Sequence, residues 1–207
     1  MSQPIEFDTA RLRLRQWLPS DRQPFAKMSA DPKVMEFFPA LMDRQTSDTM
    51  ADRCQALIAE RGWGLWVAER KDDAQFIGFV GLHIPTVDLP FNPCVEIGWR
   101  IAAEFWRQGY ATEAALGALA VGFERLELPE IVSFTALINH RSQAVMERLG
   151  MRRSSEHFIH PAVDVNSPLA KHCLYKLSRE QWIRACNAKR SNGDDDQGSL
   201  GKAYSMV

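Results

Sequence analysis

The stretch that most constrains this chain runs from Val95 to Ala114. It reads as a short strand, Val95-Glu96-Ile97-Gly98-Trp99-Arg100-Ile101, a loop from Ala102 to Gln108, and then Gly109-Tyr110-Ala111-Thr112-Glu113-Ala114 opening a helix. A strand that turns through glycine into a helix points successive backbone N–H groups into one space at the positive end of the helix dipole, which makes an anion site. Arg107 adds a formal charge there. The segment lacks G-x-x-x-x-G-K-[ST], so it is no nucleoside-triphosphate loop, and it lacks G-x-G-x-x-G with a following acid, which disfavours a dinucleotide fold. Many strand-to-helix turns use a glycine merely to reverse the chain, so phosphate binding and plain turning both stay open at this point.

Around this segment apolar and polar residues alternate in short elements. Arg11, Arg13 and Arg15 interleave with Leu12, Leu14 and Gln16, which predicts a strand with its arginines on one solvated face, read as a guarded sheet edge. Ser20-Asp21 opens a short helix, and Met50, Cys54, Leu57 and Ile58 recur at helical spacing in a second one ending before Gly62. Gly64 to Arg70 and Phe76 to His83, separated by Lys71-Asp72-Asp73-Ala74, predict an antiparallel hairpin. Leu116, Leu119, Phe123 and Leu126 extend the helix that begins near Gly109 toward Leu128-Pro129. Ile131 to Ile138 then reads as a buried strand, Arg141 to Leu149 as a helix stopped by Gly150, and Met151 to Phe158 and Cys173 to Leu177 as closing strands. The order β-α-α-β-β-β-α-β-α-β-β predicts an α/β (α+β) fold with a mixed sheet.

The length of 207 residues suits one domain with something appended. Residues 1–188 are read as that domain and 189–207, rich in Gly, Ser and Asp, as a disordered tail that buries too little apolar area to offset its ordering entropy. The longest apolar stretch, Ala114 to Phe123, is far shorter than the roughly 18 residues a membrane span needs, and Met1 to Asp8 has no signal-peptide pattern; a cytoplasmic address is the expectation. Lys plus Arg number 25 against 26 for Asp plus Glu, so no general pull toward nucleic acid or an anionic membrane exists. Cys54, Cys94, Cys173 and Cys186 form no C-x-x-C pair, which argues for reduced thiols and against zinc. Cys94 and Cys173 are read as core residues, and His157, His160 and His172 lack the spacing of a metal site.

Trp106-Arg107-Gln108-Gly109-Tyr110-Ala111-Thr112-Glu113-Ala114 resembles the acetyl-CoA-binding motif of the GNAT N-acetyltransferases, and most of all their RimJ/RimL-type subgroup. The pattern Q/R-x-x-G-x-G/A is met at Gly109 and Ala111, with Trp106 standing where Gln or Arg would be. Asn139-His140-Arg141-Ser142, continuing through Val145 to Met151, resembles the family's N-x-x-S…LGF/M signature, and Thr9 to Arg15 resembles the subgroup's first strand. The resemblance covers about Ala10 to Trp182. It implies a mostly antiparallel sheet of about seven strands, flanked by helices and splayed at the acetyl-CoA site.

The resemblance further implies direct transfer of an acetyl group from acetyl-CoA to a primary amine in a ternary complex, without a metal. The expected acceptor is a protein or peptide N-terminal α-amine. The alternatives are a small amine, namely a polyamine, amino acid derivative or aminoglycoside, or a non-catalytic acyl-CoA-binding regulatory module. The cofactor would meet Arg107, Gln108, Gly109, Tyr110, Ala111 and Thr112 through its pyrophosphate, and Trp99, Arg100 and Ile101 through its pantetheine arm. Asn139 and Ser142 would contact it from the second motif. An amine is mostly protonated at neutral pH and needs a base, for which Glu96 is the candidate; a salt-bridged strand residue is the competing reading. Many family members carry a tyrosine general acid at the place held here by Met146, so Ser142 becomes the candidate hydrogen-bond partner of the leaving thiolate. Phe37, Phe38 and Trp63 are candidates to line the acceptor cleft, with ordinary packing as the alternative, and a homodimer is compatible with the resemblance.

Overall fold

The computed structural model describes residues 3–191. The elements run β1 (Phe7–Asp8), β2 (Leu12–Arg15), α1 (Arg22–Ser29), α2 (Arg44–Arg61), β3 (Leu65–Arg70), β4 (Phe76–His83), β5 (Glu96–Ile101), α3 (Tyr110–Ala120), β6 (Glu130–Ala136), α4 (His140–Arg148), β7 (Arg152–Ile159), β8 (Lys171–Ser178) and α5 (Arg179–Ser191). One sheet of eight strands has the order β1-β2-β3-β4-β5-β6-β8-β7. Every neighbouring pair is antiparallel except β5 with β6. The eighth strand is the two-residue β1, too short to show a period in sequence.

Local chemistry sets the element ends. Asp43 caps α2 by accepting the Thr46 amide at 2.7 Å, and Gly62 ends it. Asn139 accepts the Ser142 amide at 3.2 Å and caps α4. The helix from Tyr110 ends sooner than the apolar spacing predicts: after Ala120 it passes into a π-helical turn, Val121–Arg125, which carries Phe123 onto Trp182. Trp182 lies on α5, a helix the sequence reading did not place because its sequence is mostly polar. The residues read as a tail lie outside the described part of the chain from 192 onward; the first three belong to α5.

The core is one cluster on both faces of the sheet. Trp17, Phe25, Phe76 and Phe79 pack edge-on or tilted beneath α1 and α2, while Ala114, Ala115, Ala118 and Leu119 of α3 cover the other face. Three small residues on one helix surface, Ala114, Ala115 and Ala118, let α3 lie close to β4 and β5.

The guarded-edge reading of the first arginines is corrected. Strand β2 lies between β1 and β3, and Arg15 is buried, pairing with Asp21 at 2.8 Å and Glu69 at 2.7 Å. Period-2 alternation says which residues share a face but not whether that face is covered; here the turn carrying Asp21 covers it. The charged edge is instead β7, whose Arg152, Arg153, Glu156 and His157 are exposed. Cys94 is also not a core residue: it is half-buried ahead of β5, its thiol donating to Asn92 Oδ1 at 3.5 Å, whereas Cys173 is fully buried.

Candidate active site

Strands β5 and β6 meet at one register pair, Glu96 with Val132, and then diverge. The Val132 amide still reaches Val95 O at 2.9 Å, but one step on the Ser133 hydroxyl has to span to Ile97 O, also 2.9 Å. Beyond that, the sheet opens into a wedge whose one wall is Gly98 to Ile101. A cleft of about 1050 Å³ fills this wedge and continues between the α1–α2 connection and the N-termini of α3 and α4.

At the α3 end of the cleft the chain turns sharply into the helix. Arg107 and Gly109 have φ of 62° and 82°, left-handed conformations that swing the loop into the start of α3. Glu113, in the first turn of α3, accepts from the Thr9 hydroxyl at 2.6 Å and from the Arg11 amide and Nε at 2.7 and 2.6 Å, clamping the helix to β2. Burial alone would raise the Glu113 carboxyl, but these donors pull it below its ordinary value. Arg107, Gly109, Tyr110, Ala111 and Thr112 line the cleft, as do Asn139 and Ser142 from the facing helix. Gln108 does not: its side chain turns back to donate to Glu104 O at 3.1 Å, and its own carbonyl accepts from Arg11 Nη1.

Glu96 sits where the wedge begins, with a nearly buried side chain, and one carboxylate oxygen lies 2.8 Å from His83 Nε2. The register of β4 with β5 places His83 directly opposite Glu96. Burial pushes the His83 imidazole down, but the hydrogen bond and charge of Glu96 outweigh it and hold it above its ordinary value. The sequence reading missed His83 because the pairing of β4 with β5 spans a loop whose length gives no register. Glu96 is thus paired with His83 and at the same time faces the cleft.

Gly98, two residues on, has open space where a Cβ would project, with no atom within 4 Å. His160 and His172 form the opposite wall, ring to ring at 4.8 Å and packed on Phe134 and Phe158. Burial lowers both, His172 to about 4, so His172 stays neutral at pH 7. His157 lies away from the cleft beside Arg153. Phe91 joins the same aromatic group from behind and does not line the cleft.

The end of the cleft away from the α3 N-terminus is roofed by Phe37, Phe38 and Trp63. Arg141 stands beside this roof: it pairs with Glu36 and lies 4.5 Å over the Trp106 ring and 5.2 Å over Phe37. Trp106, which departs from the usual motif residue, is held by donation from its Nε1 to Ile101 O at 2.7 Å. Trp99, Ile101 and Arg100 all line the cleft. The Arg100 side chain points under this roof, where Nη1 donates to Ser29 Oγ at 3.3 Å and the guanidinium lies 4.3 Å from the Phe38 ring. Alternation along β5 puts Glu96, Gly98 and Arg100 on one face and Trp99 on the other. Met146 is buried and does not reach the cleft, so no side chain from that place meets a leaving thiolate.

Residues 11–152 match the model of the acetyltransferase (GNAT) domain. The chain is 30% identical over 187 residues, 85% of its length and 77% of the relative's, to an FsC-acetyl coenzyme A-N(2)-transacetylase of Aspergillus fumigatus. It is 31% identical over 157 residues, 74% of its length and 89% of the relative's, to the uncharacterized protein YkkB of Bacillus subtilis. Its fold is similar to that of a GNAT-family acetyltransferase from Bacillus anthracis, with a TM-score of 0.72 at 22% identity over 85% of this chain and 99% of that one. The splayed sheet, the glycine loop at the α3 N-terminus and these matches agree: the chain belongs to the GNAT acetyltransferases and is an N-acetyltransferase that uses acetyl-CoA.

Proposed function

We propose that this enzyme acetylates the α-amine of an amino-acid-type acceptor, either a peptide's first residue or a small amino acid derivative, and that it is of the RimJ/RimL type. The observation that carries this reading is the charge of the cleft: Arg53, Arg61, Arg100, Arg107, Arg141 and Arg148 line it against a single carboxylate, Glu96. Such a field repels polyamines and aminoglycosides, whose several ammonium groups need an acidic cleft. The subgroup placement rests on the Trp106 to Ala114 loop and the Thr9 to Arg15 opening.

In this reading the pyrophosphate lies on the loop amides from Arg107 to Thr112, and the pantetheine arm takes the place along Trp99 to Ile101 that β6 vacates. The thioester carbonyl then meets the strand amides near Gly98, which supply oxyanion-type stabilisation. The incoming amine loses its proton to Glu96, directly or through one water, with His83 positioned to share it. The Ser142 hydroxyl, at the head of α4, hydrogen-bonds the departing thiolate.

The test is thiol release from acetyl-CoA across amino acids, N-terminal peptides, polyamines and aminoglycosides, with thermal unfolding followed in parallel. Turnover on α-amines and none on polycations supports the proposal; the reverse preference overturns it. Glu96→Gln is expected to lower kcat about a hundredfold while the stabilising shift caused by acetyl-CoA persists. A shift that persists with no turnover on any amine would instead favour the acyl-CoA-binding regulatory module, for which Met146 in place of the usual tyrosine speaks.

A further inference from the structure

Arg100 is the one arginine of the acceptor side that the fold buries almost completely, at 6% exposure, and it has no counter-ion among the described residues. A guanidinium offers five N–H donors. Only Nη1 is used within the protein, toward the Ser29 hydroxyl at 3.3 Å and the Met42 thioether at 3.7 Å, and the buried Nε meets no acceptor. The Phe38 and Phe79 rings, with centroids 4.3 and 5.3 Å away, pack on the cation and strip its water without neutralising it. Burial accordingly lowers its pKa to about 10. Elsewhere the chain treats a buried arginine differently: Arg15 is met by two carboxylates.

A buried, unpaired charge is costly in free energy, and a fold that keeps one at a cleft wall holds a receptor for the opposite charge. Arg100 faces the same side of β5 as Glu96 and Gly98, so an anion bound to it is on the same wall as the reacting amine. The planar fork of donors suits a carboxylate, which it binds through two parallel bonds.

We propose that Arg100 binds a carboxylate of the acceptor, so that the molecule acetylated carries its own anion close to the amine. This rests on the acetyltransferase reading above and narrows its acceptor. The carboxylate has two sources, the acid group of a small amino acid derivative or an acidic side chain near a peptide's N-terminus, and both present the same chemistry to Arg100.

The experiment compares matched acceptors, free acid against carboxamide, in two arms: small amino acids and dipeptides, and C-terminally amidated peptides with Glu or Gln at the second position. The wild-type enzyme is expected to favour the acid form in one arm by about 10- to 100-fold in kcat/KM, the value of one charge-assisted pair at a buried site. The arm that discriminates names the source. In Arg100→Met this preference falls toward one, through KM, while the dissociation constant for acetyl-CoA stays within about twofold, below what one lost hydrogen bond would shift. The melting temperature of the variant is expected to rise, because an apolar chain of similar length replaces an unpaired cation. Equal rates on acid and amide in both arms of the wild type overturn the inference even if the variant does not fold. Weakened acetyl-CoA binding in Arg100→Met also overturns it, by returning Arg100 to the cofactor. Absence of thiol release with every amine, together with no stabilisation by acetyl-CoA, removes the underlying enzyme reading instead.

Discussion

At Gly98 the fold leaves room for a side chain. No atom lies within 4 Å of where its Cβ would stand, so Gly98→Ala is expected to leave stability unchanged or raise it by about 0.5 kcal/mol through the unfolded chain. The added methyl would project into the cleft, where the proposed reaction brings acetyl group and amine together, and kcat/KM is expected to fall about tenfold; unfolding and thiol-release assays on the one variant separate the two effects. His172 gives a second residue-scale expectation. Its folded pKa, about 4, lies below the ordinary 6.5, so the unfolded chain binds the extra proton first. The corresponding stability is whole above pH 6.5 and is lost as the pH falls toward 4. His172→Phe, which extends the ring group of Phe134 and Phe158, should flatten this acid limb in urea unfolding followed from pH 7 to pH 4. His83 behaves oppositely: its pKa is raised by Glu96, and its contribution is present below 6.5 and fades as the pH climbs above that.

Among the elements, the loop between β5 and α3 is the most legible, because its pattern is local in sequence: glycine at the turn, small residues on the helix, an arginine beside them. What escaped the sequence depends on partners distant along the chain. The Glu96–His83 pair needs the β4–β5 register, and the orientation of Arg100 needs the roof that the α1–α2 connection supplies. Burial of Arg15 depends in the same way on Glu69, which reaches it only through the β2–β3 pairing. Arg107 is the strained member of the loop, a non-glycine residue at φ 62°. Arg107→Gly is expected to release about 1 kcal/mol of that strain while weakening acetyl-CoA binding through the lost charge. Denaturant midpoints and a binding isotherm, measured together, would reveal whether the loop holds its shape at the expense of stability.

For the whole molecule the wedge has a consequence for how the chain folds. On one side, β1 to β5 pair in chain order, each with its sequence neighbour; on the other, β6 and β7 gather on β8. Within the sheet the two groups share one parallel register pair, Glu96 with Val132. The β1–β2, β3–β4 and β4–β5 pairings close short loops and form early, whereas the β2–β3 pairing and the parallel β5–β6 pairing must wait for the helices between their strands. Two cooperative units are therefore expected, opening with different free energies. In amide hydrogen exchange, β3 and β4 should report one opening free energy and β6 and β8 another. A cofactor bound across the wedge would touch both units at once, so acetyl-CoA should merge the two classes of amides into one: the ligand acts as the missing length of sheet that makes the molecule a single folding unit.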